Sequence, residues 1–378
     1  MCDMISTEPD AVWYLTQEDV LSITELHAEG FTISDFTGLE YFTELTSLTV
    51  DSEETEITYF DLSANTKLRR LSLTYFYSGT IDLSPLADLE YLSVESAWFH
   101  SLDLSHNTKL TDLILTGVPL DTLDLSSCTN LHSLYLNEVS ITALDLSDCW
   151  LLKWLMLMSC PIAALDVTNC KYLRDLHLLY VPITEMDVTE CTKLESFSLE
   201  GCPVTAVDLS HCEKLIKFIY EDEYEGTEHV LHTLNLGYKP ALTDLTVGSS
   251  DITEVDLSGC PNMEYLEFIG QLSELDLSQC PKIRNVYCPN NRLSSLILNA
   301  SCPLYLLWCG GNRLAELDLG AFASLKDLRL NPQTVEAVGG FTPSGDAYTF
   351  DMHALVGDPS RVSITDAALA YDPATGLV

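Results

Sequence analysis

Carboxylates, hydroxyls, thiols and imidazoles recur along this chain at a spacing that invites a chemical reading. Asp stands at 61, 82, 103, 124, 145, 166, 187 and 208, then at 256, 276 and 318. Each lies between two apolar residues, and all but the last are followed two places on by Ser or Thr. Three places past the second apolar residue come Cys128, Cys149, Cys170, Cys191, Cys212, Cys260 and Cys280, where earlier units have Asn65 and Asn107. A carboxylate column could line up cations, and a thiol column could form disulfides or bind zinc. Ser, His and Asp could assemble a hydrolytic triad.

Simpler chemistry is favoured at each point. An Asp beside Ser or Thr accepts from backbone N–H groups in a turn, which occupies the carboxylate locally. Equivalent Cβ atoms of stacked strands lie about 4.8 Å apart, beyond the roughly 3.8 Å that a disulfide prefers. The columns are therefore expected to be buried free thiols, with Asn and Cys alternating as compact donors to turn carbonyls. Cys288 and Cys309 read as a second, shorter ladder at inward strand positions. No CxxC pair or Cys/His quartet offers a zinc site, and no GxSxG, P-loop or HExxH occurs. No catalytic residue, metal or cofactor is expected.

The spacing itself is the stronger signal. The tetrads repeat every 21 residues from Phe60 to Val207, then after steps of 27, 21 and 20, then again every 21 to Leu317. Such a period, dense in leucine, marks a solenoid whose coils cannot stand alone. Leu173-x-x-Leu176-x-Leu178-x-x-Val181-x-Ile183 matches the leucine-rich-repeat template. Leu176-His177-Leu178 alternates with period two, a short strand with its leucines inward. The strand position recurs from Leu26, Leu48 and Leu71 through Leu307 and Leu328, fifteen times. The expectation is a β-rich leucine-rich-repeat solenoid, a right-handed curved horseshoe of about fifteen coils. It would have a parallel inner sheet, short outer strands and little helix. Residues 1–25 would form an N-terminal cap with a short helix, and 26–338 the solenoid. Residues 339–378 would form a C-terminal β cap or the start of a following domain.

The net charge of −39 argues against nucleic acid or anionic lipid as partner, since both need clustered Lys and Arg. It keeps a long surface soluble and leaves room for a basic or cation-bridged partner. The most apolar stretch, Trp150 to Val167, contains Lys153 and Pro161 and follows the repeat's phase, so it is core and not a membrane span. No intact signal peptide is visible. The chain is expected to be either cytosolic or a mature exported protein, with Cys2 a candidate lipid anchor.

Three segments resemble bacterial surface leucine-rich-repeat proteins of the internalin-J-like type, found in gut Firmicutes and Bacteroidetes. They are the opening run from Ile23-Thr24-Glu25-Leu26 to Leu45, and the LDLSxC and LDLSxN tetrads together with Val286-Tyr287-Cys288-Pro289-Asn290-Asn291-Arg292-Leu293. The third is the tail from Tyr348-Thr349-Phe350 to Gly376. The resemblance implies an exported, non-enzymatic binding or adhesion protein at the cell surface.

The non-repeating residues on the outward side of the inner strands are the expected ligand surface. That face is acidic, with Asp175, Glu200, Glu221, Asp244 and Glu267 against Lys217 and Arg329. At its centre Tyr135, Trp154, Met156, Met158, His177 and Leu179 should be neighbours, a composition suited to a protein-binding hot spot. Tyr265, Tyr287, Leu306 and Trp308 form a second candidate patch. The 27-residue step carries an acidic insertion with Glu221, Asp222, Glu223, Glu225 and Glu228, read as a solvated loop. The expected partner is a protein, with a glycan stacked on the aromatic clusters as the alternative. A structural spacer and an intracellular effector are the remaining readings, and a monomer is expected.

Overall fold

The structure, a computed structural model, describes residues 15–29, 33–52, 56–221, 230–314, 317–330 and 333, with the backbone of 341–344 and 347–350. Cys2 and the insertion residues Asp222, Glu223, Glu225 and Glu228 lie outside the described residues. The chain divides into two compact units, Met1–Leu131 with Glu138–Ile141, and His132–Asn137 with Thr142–Val378.

In the first unit a six-residue helix, Gln17–Ser22, opens on a capping box in which Thr16 and Asp19 bond reciprocally to each other's backbone. Five parallel inner strands follow: Glu25–Ala28, Ser47–Asp51, Arg70–Thr74, Tyr91–Glu95 and Asp112–Thr116. Their register aligns Leu26, Leu48, Leu71, Leu92 and Leu113. The second unit has ten inner strands, from Ser133–Asn137, Trp154–Met158, Asp175–Leu179, Ser196–Glu200 and Lys217–Glu221 to Asp327–Arg329. All fifteen expected strand positions fall within inner strands, in unbroken register within each unit. The tail holds an antiparallel hairpin, Phe341–Ser344 with Ala347–Phe350.

One coil shows why the repeat folds this way. Leu173, Leu176, Leu178, Val181, Ile183, Val188 and Cys191 are buried, and the residues between the strand leucines point out. Each buried aliphatic side chain contributes about 1.5–3 kcal/mol, but ordering the backbone costs about 1–2 kcal/mol per residue. A lone coil therefore cannot fold, whereas a coil covered on both sides can. The chain leaves many inner strands through a left-handed residue, a device that the leucine pattern does not reveal. Tyr75, Ser96, Gly117, Ser159, Tyr180 and Gly201 all have φ between 52° and 62°.

The outer edge departs from expectation. Among the described residues, regular outer strands form only at Ala206–Asp208 with Thr233–Asn235 and at Glu274–Leu277 with Ser295–Leu298. Elsewhere the tetrad keeps its alternating burial without pairing as a strand. An Asp turn marks the tetrad in both arrangements, since Asp208 and Asp276 in the paired strands accept from the Ser210 and Ser278 N–H at 2.8 Å. Asp61, Asp103, Asp124 and Asp187 accept from the N–H two residues on at 2.8–2.9 Å, which turns the backbone there. These bonds hold the carboxylates below their ordinary pKa.

The ladder column behaves as a set of donors. Asn65 Nδ2 bonds the carbonyls of Leu39 and Phe42, and Asn107 Nδ2 those of Leu83 and Leu86. The Oδ1 of each is buried without a partner. The site thus needs a donor and has no use for an acceptor, which is what a thiol supplies. Cys191, Cys212 and Cys280 donate to Val167, Val188 and Leu257 carbonyls at 3.6–3.8 Å. All twelve described cysteines are buried free thiols. Lys239 occupies the same column between Cys212 and Cys260. It is fully buried, and its Nζ points to the Ser210 and Tyr238 carbonyls. Burial lowers its pKa.

A different ladder stands just past the inner strands. Asn291 and Asn312 there use both ends of the carboxamide, donating to Phe268, Cys288 and Cys309 carbonyls and accepting from Leu272 and Leu293 N–H. In earlier coils Cys160 and Cys202 replace them and donate to the Leu136 and Leu178 carbonyls.

Candidate functional site

Three neighbouring inner strands of the second unit, Ser133–Asn137, Trp154–Met158 and Asp175–Leu179, carry the leading candidate residues. Register places Tyr135, Met156, His177 and Ser198 in one row. Trp154 pairs with Asp175 on one side of that row, and Met158 with Leu179 on the other. Tyr135, Trp154, Met156, Met158, His177 and Leu179 are all half-buried, so each presents part of its side chain on the open face of the sheet. The Tyr135 and Trp154 rings lie 6.0 Å apart at 50°. The structure therefore brings together all six expected residues.

Charge surrounds this apolar surface. Leu179 is followed in register by Glu200 and Glu221. His177 Nδ1 lies 2.9 Å from Ser198 Oγ. Burial pushes the His177 pKa down, against the opposing pull of Asp175 and Glu200. Burial also raises the Asp175 carboxyl. Ser198 is only 2% exposed, so the hydroxyl that meets His177 is buried, whereas Asp175 and His177 are half-buried.

The second patch is only partly open. Tyr265 and Tyr287 have ring centroids 5.4 Å apart, and Tyr287 meets Trp308 edge to face at 4.9 Å. Tyr265 Oη donates to Glu267 at 2.6 Å. The Arg329 guanidinium, however, lies 3.4 Å from the Trp308 ring centroid, so the chain's own cation already occupies part of that surface. Leu306 corrects the sequence reading: it is 8% exposed and belongs to the core. It lies in register between Asn285 and Asp327, on a strand only three residues long. Of the acidic insertion, only Glu221 is described, half-buried at the end of its strand.

Sequence reasoning missed an aromatic cluster in the first unit. Tyr77 and Trp98 have ring centroids 4.3 Å apart at 36°, and Tyr75 lies 6.4 Å from Tyr77. Tyr77 and Trp98 sit just beyond the inner strands, where later coils have Pro119, Pro161, Pro182 and Pro203. The replacement of proline by Tyr and Trp in that column was the available signal.

Among solved structures, InlJ of Listeria monocytogenes, whose functional domain is described as including a cysteine ladder, is 26% identical. The match covers 73% of this chain and 70% of that one, with a TM-score of 0.51. This chain has two sets of buried thiols of its own, the column from Cys128 to Cys280 and the strand pair Cys288 and Cys309. The fold is an internalin-like leucine-rich-repeat solenoid. A leucine-rich-repeat protein of Leptospira interrogans shares this repeat fold at 17% identity and TM-score 0.66, over 84% of this chain and 87% of that one. A plant peptide hormone receptor solved in complex with RGF2 matches at 17% identity and TM-score 0.60, over 84% of this chain and 61% of that one. No protein-family model and no curated protein sequence matches the chain. Among the described residues of this internalin-like chain, no helix is long and apolar enough to cross a membrane.

Proposed function

We propose that this chain is a non-enzymatic protein-binding module deployed outside the cell, which captures its partner on the open sheet face around Trp154. The observation that carries the reading is the cluster of six half-buried side chains on three adjacent strands, four of them Tyr, Trp or Met. Rigid strands hold these groups in place, so little conformational entropy is lost on binding. Large apolar anchors ringed by carboxylates are the composition of an interface centre with a polar rim. Two likenesses support the reading: the one to InlJ, and the one to a receptor whose structure contains its peptide hormone. The surface location rests on the first of these.

Peptides selected against the intact protein from a random library provide the test. Trp154→Ala combined with Met156→Ala should weaken the selected peptides at least tenfold while leaving the melting temperature within about 2 °C. Tenfold corresponds to about 1.4 kcal/mol, a modest hot-spot effect. Peptides that bind the double variant as well as the parent would place the binding surface elsewhere.

A further inference from the structure

Tyr75, Tyr77 and Trp98 form an aromatic surface on the first unit. Trp98 is 63% exposed even though it stacks on Tyr77, so most of the indole faces solvent. Such exposure of the largest apolar side chain has a cost that internal packing does not recover. Two exposed acidic residues are close to it along the backbone. Glu56 pairs with Tyr77 through an isolated parallel bridge, and Glu95 ends the strand three residues before Trp98. Both are exposed.

Elsewhere the chain shows what it does with aromatic faces. Arg70 lies 4.3 Å from the Tyr91 ring centroid, Lys193 3.6 Å from Tyr172 and Arg329 3.4 Å from Trp308. A cation over an aromatic face is stabilised by the ring quadrupole, most strongly over Trp and with Arg more often than Lys. Nearby carboxylates add to that attraction, and the planar guanidinium can stack and bond at once. The Trp98 surface offers the aromatic and acidic halves of this arrangement.

We propose that Tyr75, Tyr77 and Trp98, with Glu56 and Glu95, form a flank site for an arginine side chain of a protein partner. The site lies on the first unit and does not depend on the reading given to the Trp154 surface. It places one guanidinium against the indole with carboxylates at its edge, and a neutral side chain of the same shape is a poor substitute.

The test uses the full chain labelled with 5-fluorotryptophan, whose five tryptophans report separately by fluorine NMR. The probe is the capped tetrapeptide acetyl-Gly-Arg-Arg-Gly-amide at 150 mM salt. The control is the same peptide with citrulline for arginine, which removes the charge and keeps the shape. The Trp98 resonance, assigned by its loss in Trp98→Phe, should move saturably with the arginine peptide and at least fivefold less with the citrulline peptide. Glu56→Gln with Glu95→Gln should weaken the arginine response at least threefold. Trp150 is also exposed and should respond only weakly and linearly. Equal responses at Trp98 and Trp150 would mean diffuse condensation on an acidic surface and would overturn the proposal. So would an equal response to citrulline, or a Trp98 resonance that does not move. The same titration with maltohexaose distinguishes the remaining occupant: saturable movement of Trp98 with that sugar alone would replace arginine by a glycan.

Discussion

At the scale of the residue, the ladder column separates chemical appearance from chemical role. Seven cysteines at one position suggest metal or redox chemistry, yet the orphaned Oδ1 atoms of Asn65 and Asn107 show that the position asks only for a small donor. Burial pushes the thiols up, Cys128, Cys212 and Cys260 to about 11 and Cys170, Cys191 and Cys280 to about 12. The sign of the consequence follows from linkage. Below the ordinary thiol value both folded and unfolded chains keep these protons. Above it the unfolded chain releases protons that the folded chain still holds, so stability falls as pH rises. The urea midpoint should therefore decline from about pH 9 upward and keep declining until the folded thiols ionise. Cys170→Asn keeps a donor and removes one titration, so its decline should be shallower than that of the parent. Parallel curves would show that the alkaline loss arises elsewhere.

At the scale of the element, many inner strands end in a turn that holds a left-handed residue. Gly117 and Gly201 adopt it without strain, whereas Ser159 and Tyr180 adopt it with a Cβ in place. The Ser159 N–H bonds the Leu179 carbonyl at 2.9 Å, as the Gly201 N–H bonds Glu221 at 2.8 Å, so backbone bonding is the same with either residue. Ser159→Gly should raise unfolding free energy by roughly 0.5–1 kcal/mol, the left-handed penalty less the added chain entropy of glycine. Calorimetry showing no gain, or a loss, would mean that the Ser159 side chain supports the coil in some other way. This scale also shows what could be read from the chain alone. Leu48, Leu71, Leu176 and Leu266 were legible because a leucine every 21 residues with period-two flanks has one sterically sensible place. The row Tyr135, Met156 and His177 followed from the same count. Leu306 was misread because its spacing matches that of Trp154, whereas its burial depends on neighbours that no spacing encodes. Arg329 over Trp308 and Trp98 against Tyr77 were likewise hidden, since contacts between side chains of successive coils depend on rotamers. The outer strands were overestimated because alternating burial, which the sequence does show, does not require pairing between coils.

At the scale of the whole molecule, a charge of −39 works against the compact state through self-repulsion. Inter-coil pairs such as Lys67 with Glu44, Arg69 with Glu90 and Arg174 with Glu195 relieve it locally, but exposed pairs contribute little. Going from 0.01 M to 0.15 M salt shortens the screening length from about 30 Å to about 8 Å, so the melting temperature should rise by several degrees over that range. A flat salt response would mean that the carboxylates are compensated in place. One structural feature has a consequence for heredity. Val207 and Leu234 stay in register although 27 residues separate them, so the stack tolerates an irregular step provided the coil closes. A recombination event that copies or drops one whole coil therefore leaves the strand leucines and the ladder donors beside neighbours of the kind they already had. Length can drift between descendants by whole turns, and the surface around Trp154 can be carried intact through such changes.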